Sequence, residues 1–274
     1  MNDFPPVAAL TVTFDTNALE SVVSPDAAQR NTGIAGAAIR DAIRHGTITG
    51  FISETLITLE GIERRKRAEV LGRTRVVSGS ASNQRGEVTI SVGVRHSRDP
   101  LNDRFSKRVE GARELGISPL RTAARIGGYH LRDETIALYE PDGGTPELIR
   151  CMDRVNALTT EIGRRGVGQA VAVNLGLEFS ARDGVNEPEL WLQGLGRARD
   201  NSECKRVAEA IREWADGDSI AAHYGFGIEL FCTDDFARNS SNRSVLDDDN
   251  RQWLHSAFGI EFVTLHELAQ RITG

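Results

Sequence analysis

Five residues near the start, Leu10-Thr11-Val12-Thr13-Phe14, run straight into Asp15-Thr16-Asn17. Alternating apolar and polar positions are the period-two signature of a strand with one buried face. A strand that stops on a carboxylate delivers an acidic group to its carboxyl end, and in open α/β sheets that edge is where ligands bind. The segment therefore asks for an α/β fold, and the rest of the chain has to supply partners for Asp15. A purely local reading competes with this one, because Asp15, Thr16 and Asn17 are also residue types that cap a helix.

The chain on either side of a long middle section continues in β/α rhythm. Ile39, Ala42 and Ile43 stand at helical spacing and predict a helix over 34–43, closed by His45-Gly46. A second strand follows over 47–52. Ser53 is an N-cap for a helix from Glu54, with Leu56, Leu59 and Ile62 on one side. That helix carries Glu60 and Glu63 one turn apart, runs into Arg64-Arg65-Lys66-Arg67 and ends at Gly72. In the last quarter, Val207, Ile211 and Trp214 mark a helix broken near Gly217 and resumed by Ser219-Ile220-Ala221-Ala222. On that reading Asp216 and Asp218 are helix-start residues. A strand over 228–232 leads into Thr233-Asp234-Asp235-Phe236, so carboxylates again sit where a strand ends. A helix over 246–257, with Asp247-Asp248-Asp249 in its first turn where the macrodipole favours anions, a strand over 260–264 and a helix over 266–272 complete the pattern.

The middle departs from it. Val88, Ile90, Val92 and Val94 alternate with Thr89, Ser91 and Gly93, and with Val76-Val77 they predict a hairpin around the polar stretch 80–86. A helix over 101–115 stops at Gly116, Ser118-Pro119 opens a short one, and Thr145-Pro146 begins a third with Leu148, Met152, Val155 and Ile162 along it. This section reads as an insertion. The glycines at 163, 166 and 168 follow a helix rather than a strand, which argues against a phosphate-cradling loop.

Composition narrows the function classes. No apolar run approaches membrane-span length, and the start, MNDFPPVAAL, lacks the charged and apolar regions of a secretory signal. Cys151, Cys204 and Cys232 are odd in number and lack metal-type spacing, so a reducing cytoplasm is expected. The histidines show no i,i+4 pair, which argues against zinc. Net charge is −6, yet residues 61–134 hold 16 of the 33 Lys and Arg against 9 of the 39 Asp and Glu. A basic stretch beside an acidic remainder suggests a surface for an anionic polymer next to an acidic site.

Four acidic positions stand out: Asp15, Glu60, Asp216 or Asp218, and Asp235. Oxygen-only donors suit a hard divalent cation such as Mg²⁺ or Mn²⁺. Such a cation serves phosphoryl chemistry, because it stabilises charge developing on a phosphodiester and activates water. Asp216-Gly217-Asp218 also mimics the D-x-D opening of haloacid-dehalogenase-type phosphatases, but those start from a strand and this follows a helix.

At these residues the chain resembles the PIN-domain family, the PilT N-terminal type of metal-dependent nuclease. The likeness covers 10–63 and 213–274; its most specific pieces are Val12 to Asn17, Asp218-Ser219-Ile220-Ala221-Ala222 and Phe231 to Phe236. It implies a three-layer α/β/α fold with a central, mostly parallel sheet, formed by 1–65 and 205–274, with 66–204 as a helical and hairpin insertion. It further implies RNA cleavage with Asp15, Glu60, Asp218 and Asp235 around Mg²⁺ or Mn²⁺, Asn17 orienting the cluster, and Thr233 with Asp235 as the family's Thr-x-Asp. Asp216 lies four residues before Ile220 and Asp218 two before it, whereas the family's third acid lies three before, so both stay open; Asp218 is preferred because it heads the Ile-Ala-Ala run. Glu54 and Glu63 are alternatives to Glu60. Arg64, Arg65, Lys66, Arg67, Arg121 and Arg125 are the expected phosphate-binding residues. RNA is the expected partner, with an inhibitory protein and a second copy of the chain as further ones. The competing class is a catalytically inactive PIN-like module that binds RNA or a protein.

Overall fold

The computed structural model describes residues 9–24, 33–73, 75–82, 88–95, 103–122, 137–236 and 244–273. Among them seven strands form: β1 (Leu10–Phe14), β2 (Ile48–Ser53), β3 (Arg75–Ser82), β4 (Val88–Arg95), β5 (Ser118–Leu120), β6 (Leu230–Cys232) and β7 (Glu261–Val263). Five of them make a sheet in the order β5-β2-β1-β6-β7, and every neighbouring pair is parallel. The chain steps outward from β1 to β5, then returns to lay β6 against the other side of β1. This reversal opens a crevice at the carboxyl ends of β1 and β6. β3 and β4 pair with each other as an antiparallel hairpin, as the alternation predicts.

The helices are α1 (Thr16–Val23), α2 (Gly33–Arg44), α3 (Arg67–Gly72), α4 (Asp103–Glu114), α5 (Gly144–Arg164), α6 (Gln169–Arg182), α7 (Trp191–Leu195), α8 (Asn201–Gly225), α9 (Asp248–Phe258) and α10 (Leu265–Thr273). Period two along the strands decides which helices cover which face. Val12, Phe14, Ile48, Ile52, Leu230 and Cys232 point into a core with Leu19, Val22, Ile39 and Leu268 from α1, α2 and α10. The interleaved Thr13, Phe51 and Phe231 point to the opposite face. There Phe231 packs on Ile220 and Ala221, Phe51 on Ala222, and the Thr13 hydroxyl lies 3.0 Å from the His223 ring. The result is an α/β protein whose parallel sheet has helices on both sides. No helix of the described residues is long and apolar enough to cross a membrane.

A second core lies beside the sheet, where α3, α6, α7 and the first half of α8 bury Leu71, Leu175, Phe179, Leu195, Ile211 and Trp214. α6 and α7 touch backbone to backbone: a Cβ on Gly194 would stand 1.9 Å from the Gly176 carbonyl oxygen, so only glycine serves there. At about 1.5 Å per residue, α8 is long enough to belong to both cores. Asp216 and Asp218 sit near its middle.

Three local expectations are corrected. Residues 54–72 are not one helix: a 3₁₀ turn (Glu54–Leu56) is followed by hydrogen-bonded turns, a second 3₁₀ turn (Arg64–Lys66) and α3. The β-branched Thr55, Ile57 and Thr58 disfavour a helix; the Thr58 hydroxyl donates to the Glu54 carbonyl and the Glu60 amide reaches back to that of Thr55. Ser118-Pro119 opens no helix but forms β5, an edge strand where proline's missing N–H is tolerated. β5 and α4, which packs on α1, therefore lie in the main layers although they fall within 66–204. Finally, α8 is unbroken at Gly217, with Asp200 as its cap, so neither Asp216 nor Asp218 begins a helix. The helices α6 and α7 are additions that the sequence pattern does not reveal.

Candidate active site

The strand ends at the switch point are tied together residue by residue. The Asp15 amide donates to the Cys232 carbonyl at 2.9 Å, which carries the β1–β6 pairing past the strands. The Asp15 carboxylate caps α1 by accepting from the Thr16 amide at 2.7 Å, as its residue type predicts. Its other oxygen accepts from the Thr233 hydroxyl at 2.7 Å and from Asn17 Nδ2 at 2.8 Å. Thr233 Oγ1 accepts in turn from the Asp235 amide at 3.0 Å, and Asn17 Oδ1 from the Asp234 amide at 3.1 Å. Both oxygens of Asp15 are thus fixed in direction by residues from two strand ends.

Glu60 enters from the loop after β2, and its Oε2 accepts from the Thr16 hydroxyl at 2.7 Å. Thr16 therefore links the two carboxylates, with its amide on Asp15 and its hydroxyl on Glu60. Asp216 approaches from α8 and is buried like both of them. Burial raises the pKa of Asp15, and the nearby charge of Asp235 adds to the rise. Glu60 is raised by burial and by Asp15. Asp216 is held well above the usual carboxylate range by burial and then by Asp15, Glu213 and Glu60. Desolvation and like charge both oppose ionisation, and Asp15 is the shared neighbour through which Glu60 and Asp216 are raised.

The unbroken helix separates the two candidates for the third acid. Residues two apart on a helix point about 200° from one another, and the Asp218 carboxylate accepts from Trp214 Nε1 at 2.9 Å, one turn back on α8. Asp216 shares the field of Asp15 and Glu60. The alternatives to Glu60 are engaged elsewhere. Glu54 accepts from the Thr122 amide and hydroxyl at 2.6 and 2.8 Å, and Glu63 pairs with Arg65 and with Lys66.

The basic residues divide. Arg67 is buried and donates to the carbonyls of Ala208 at 2.8 Å, Ile62 at 3.3 Å and Glu60 at 3.4 Å, so it clamps the Glu60 loop to α8 and is not available as a phosphate contact. Arg64 and Arg65 are exposed and Lys66 half-buried immediately beside it. Arg121 is half-buried, and its charge acts on Glu54. Arg125 lies outside the described residues.

Sequence reasoning missed Arg212 and Ser219. With Asp216 they form an i, i+4, i+7 stripe on one face of α8, a signal hidden by the expected break at Gly217. Arg212 bonds Asp235 at 3.3 Å. Ser219 faces a small cleft with Thr16, Ser53, Thr55 and Glu60, its hydroxyl 3.1 Å from that of Thr55. Glu213, also on α8, serves the fold by accepting from the amides of Gly168 and Val245 and from the Ser244 hydroxyl.

Among the described residues, no three Asp, Glu, His or Cys side chains converge closely enough to ligate one ion by themselves. The donor set still fits Mg²⁺ or Mn²⁺, since such ions are commonly held by one or two carboxylates with water and substrate oxygens completing the shell. Buried carboxylates raised by one another are the environment that a divalent cation relieves. Comparison with protein-family models, characterised proteins and solved structures finds no match to this chain.

Proposed function

We propose that the protein is a metal-dependent nuclease that hydrolyses RNA phosphodiester bonds, on an α/β sheet of PIN-like arrangement. One observation carries this reading. Three buried carboxylates from three separate elements, Asp15, Glu60 and Asp216, share one field at the sheet's switch point, with Asp235 beside them. Buried like charges cost stability, and strongly perturbed groups that gather at a crevice mark functional sites.

Asp15, Glu60, Asp216 and Asp235 are the residues from which a Mg²⁺ or Mn²⁺ site would be drawn, one or two as direct ligands and the others through water. Such a cation supplies Lewis acidity at the phosphate and the acidification of water that hydrolysis at neutral pH requires. Thr233 and Asn17 fix the direction of the Asp15 oxygens, and Thr16 fixes Glu60, so the negative field is organised before substrate arrives. Arg64, Arg65 and the half-buried Lys66 form a basic strip beside Arg67, whose anchoring keeps the strip next to the acidic edge. They meet the RNA backbone through phosphates, a contribution that weakens steeply with salt.

The test is cleavage of a mixed RNA pool with Mn²⁺ or Mg²⁺ by wild type and Asp15→Asn. Wild type is expected to cleave, and the variant to lose about 10²–10³-fold in rate, the scale seen when one preorganised charge partner is removed. Equal cleavage by both, or none by wild type, refutes the assignment.

A further inference from the structure

Arg212 stands at the rim of the acidic site and is held there loosely. Its side chain is 54% exposed and Nη1 meets Asp235 Oδ2 at 3.3 Å. Two neighbouring arginines are committed elsewhere. Arg67 spreads over three carbonyls and is buried, and Arg206 grips both oxygens of Glu178 at 3.0 and 2.7 Å. Arg212 spends a single hydrogen bond, through one nitrogen, on a planar group that can donate five. Its position on α8, one turn before Asp216, places it within reach of the charges of Asp216, Asp235 and Asp15 together.

We propose that Arg212 is an exchangeable counter-ion of the site: it neutralises Asp235 while no divalent cation is bound, and turns to grip a substrate phosphate when a cation takes Asp235. The inference rests on the nuclease reading above and adds a residue and a substrate class to it, a phosphodiester anion held by the guanidinium. A guanidinium suits that exchange because its fork matches carboxylate and phosphate oxygens equally well. The displaced positive charge stays at the rim, where the incoming backbone passes. No bond is made or broken in the step; one ion pair replaces another.

The exchange predicts opposite signs for two measurements on one variant. Mn²⁺ binding by calorimetry is compared for wild type, Arg212→Gln and Arg212→Lys, and RNA cleavage is followed at several salt concentrations. Arg212→Gln is expected to bind Mn²⁺ several-fold tighter, because a competing cation has gone. Its KM for RNA should rise about tenfold, the scale of one lost charge-assisted bond, with a log–log salt slope shallower by about 1. Arg212→Lys should fall between on both. Mn²⁺ affinity that is unchanged or weaker in Arg212→Gln overturns the exchange, since Arg212 would then be holding Asp235 in place; an unchanged KM overturns the phosphate grip. Wild type that binds no Mn²⁺ fails the nuclease reading and this inference together. Wild type that binds Mn²⁺ but cleaves no RNA fails the nuclease reading alone, and the Mn²⁺ comparison still decides the exchange.

Discussion

The two halves of α8 lie among carboxylates that are held in opposite ways. Around the first half several acids have matching arginines: Glu203 with Arg182, Asp183 with Arg197 and Arg199, Glu178 with Arg206. Those arginines hold the carboxyls of Asp183 and Glu178 below their ordinary range. In the second half Asp216 is buried among Asp15, Glu60 and Glu213, and its pKa moves the other way. Carboxylates therefore fasten the fold beside one half of α8 and strain it beside the other. Paired surface charges explain architecture; buried like charges ask for a ligand.

The sharpest way to break this comparison is to remove the cation that makes the strained half tolerable. Arg67→Ala strips the Glu60 loop of its clamp, leaving buried carbonyls without a donor and Glu60 without its nearby charge. Losing one partner of a buried charged contact costs about 3–5 kcal/mol, and the urea midpoint should report it. Arg64→Ala, one 3₁₀ turn away with its side chain 65% exposed, should stay within about 0.5 kcal/mol. Similar losses for the two would show that burial does not separate them.

Next in size is an effect of reversed sign. Asp216→Asn removes a buried like charge and should raise the melting temperature in EDTA at neutral pH, by about 2–4 °C for each ~1 kcal/mol relieved. Because Asp15, Glu60 and Asp216 have folded pKa values raised above their unfolded ones, the stability they contribute is full at pH below about 4 and is lost as pH rises through the folded values. His223 acts oppositely: burial lowers its pKa from 6.5 to about 3, so its contribution is present above 6.5 and is lost as pH falls. Since His223 is common to both proteins, the difference between the wild-type and Asp216→Asn stability curves isolates Asp216, and that difference should grow with pH. A flat difference would mean that Asp216 is not strained.

The smallest expected effect lies in the paired half. Arg206→Ala should cost about 0.2–1 kcal/mol at low salt and less at high salt, as exposed ion pairs do. Chemical denaturation at two ionic strengths checks it, and a loss insensitive to salt would place the interaction in packing on Phe179 instead, over which the Arg206 guanidinium also lies.

Much of the sheet and part of the site are legible in the sequence, for physical reasons that differ by residue. β1 and Asp15 are visible because alternation and an abrupt carboxylate are both local, and Thr233-x-Asp235 is visible for the same reason after β6. Pro119 misleads because a Ser-Pro pair opens helices as readily as it sits in an edge strand, and only the presence of β2 decides. The choice between Asp216 and Asp218 is hidden because it depends on helix phase, and Gly217 looks like a break until packing on Gly168 and Ile162 accounts for it. Arg67 is hidden among four consecutive basic residues, since burial of one of them depends on α8, which lies far away in the chain.

The central claim is that Asp15, Glu60, Asp216 and Asp235 form one cation site and that Asp218 does not belong to it. Calorimetric titration of Mn²⁺ into wild type, Asp216→Asn and Asp218→Asn tests this most directly, since an asparagine at 218 can still accept from Trp214. Wild type and Asp218→Asn are expected to bind with similar affinity, and Asp216→Asn to lose about tenfold or more, the scale of ~1.4 kcal/mol. Binding retained by Asp216→Asn but lost by Asp218→Asn would contradict the account.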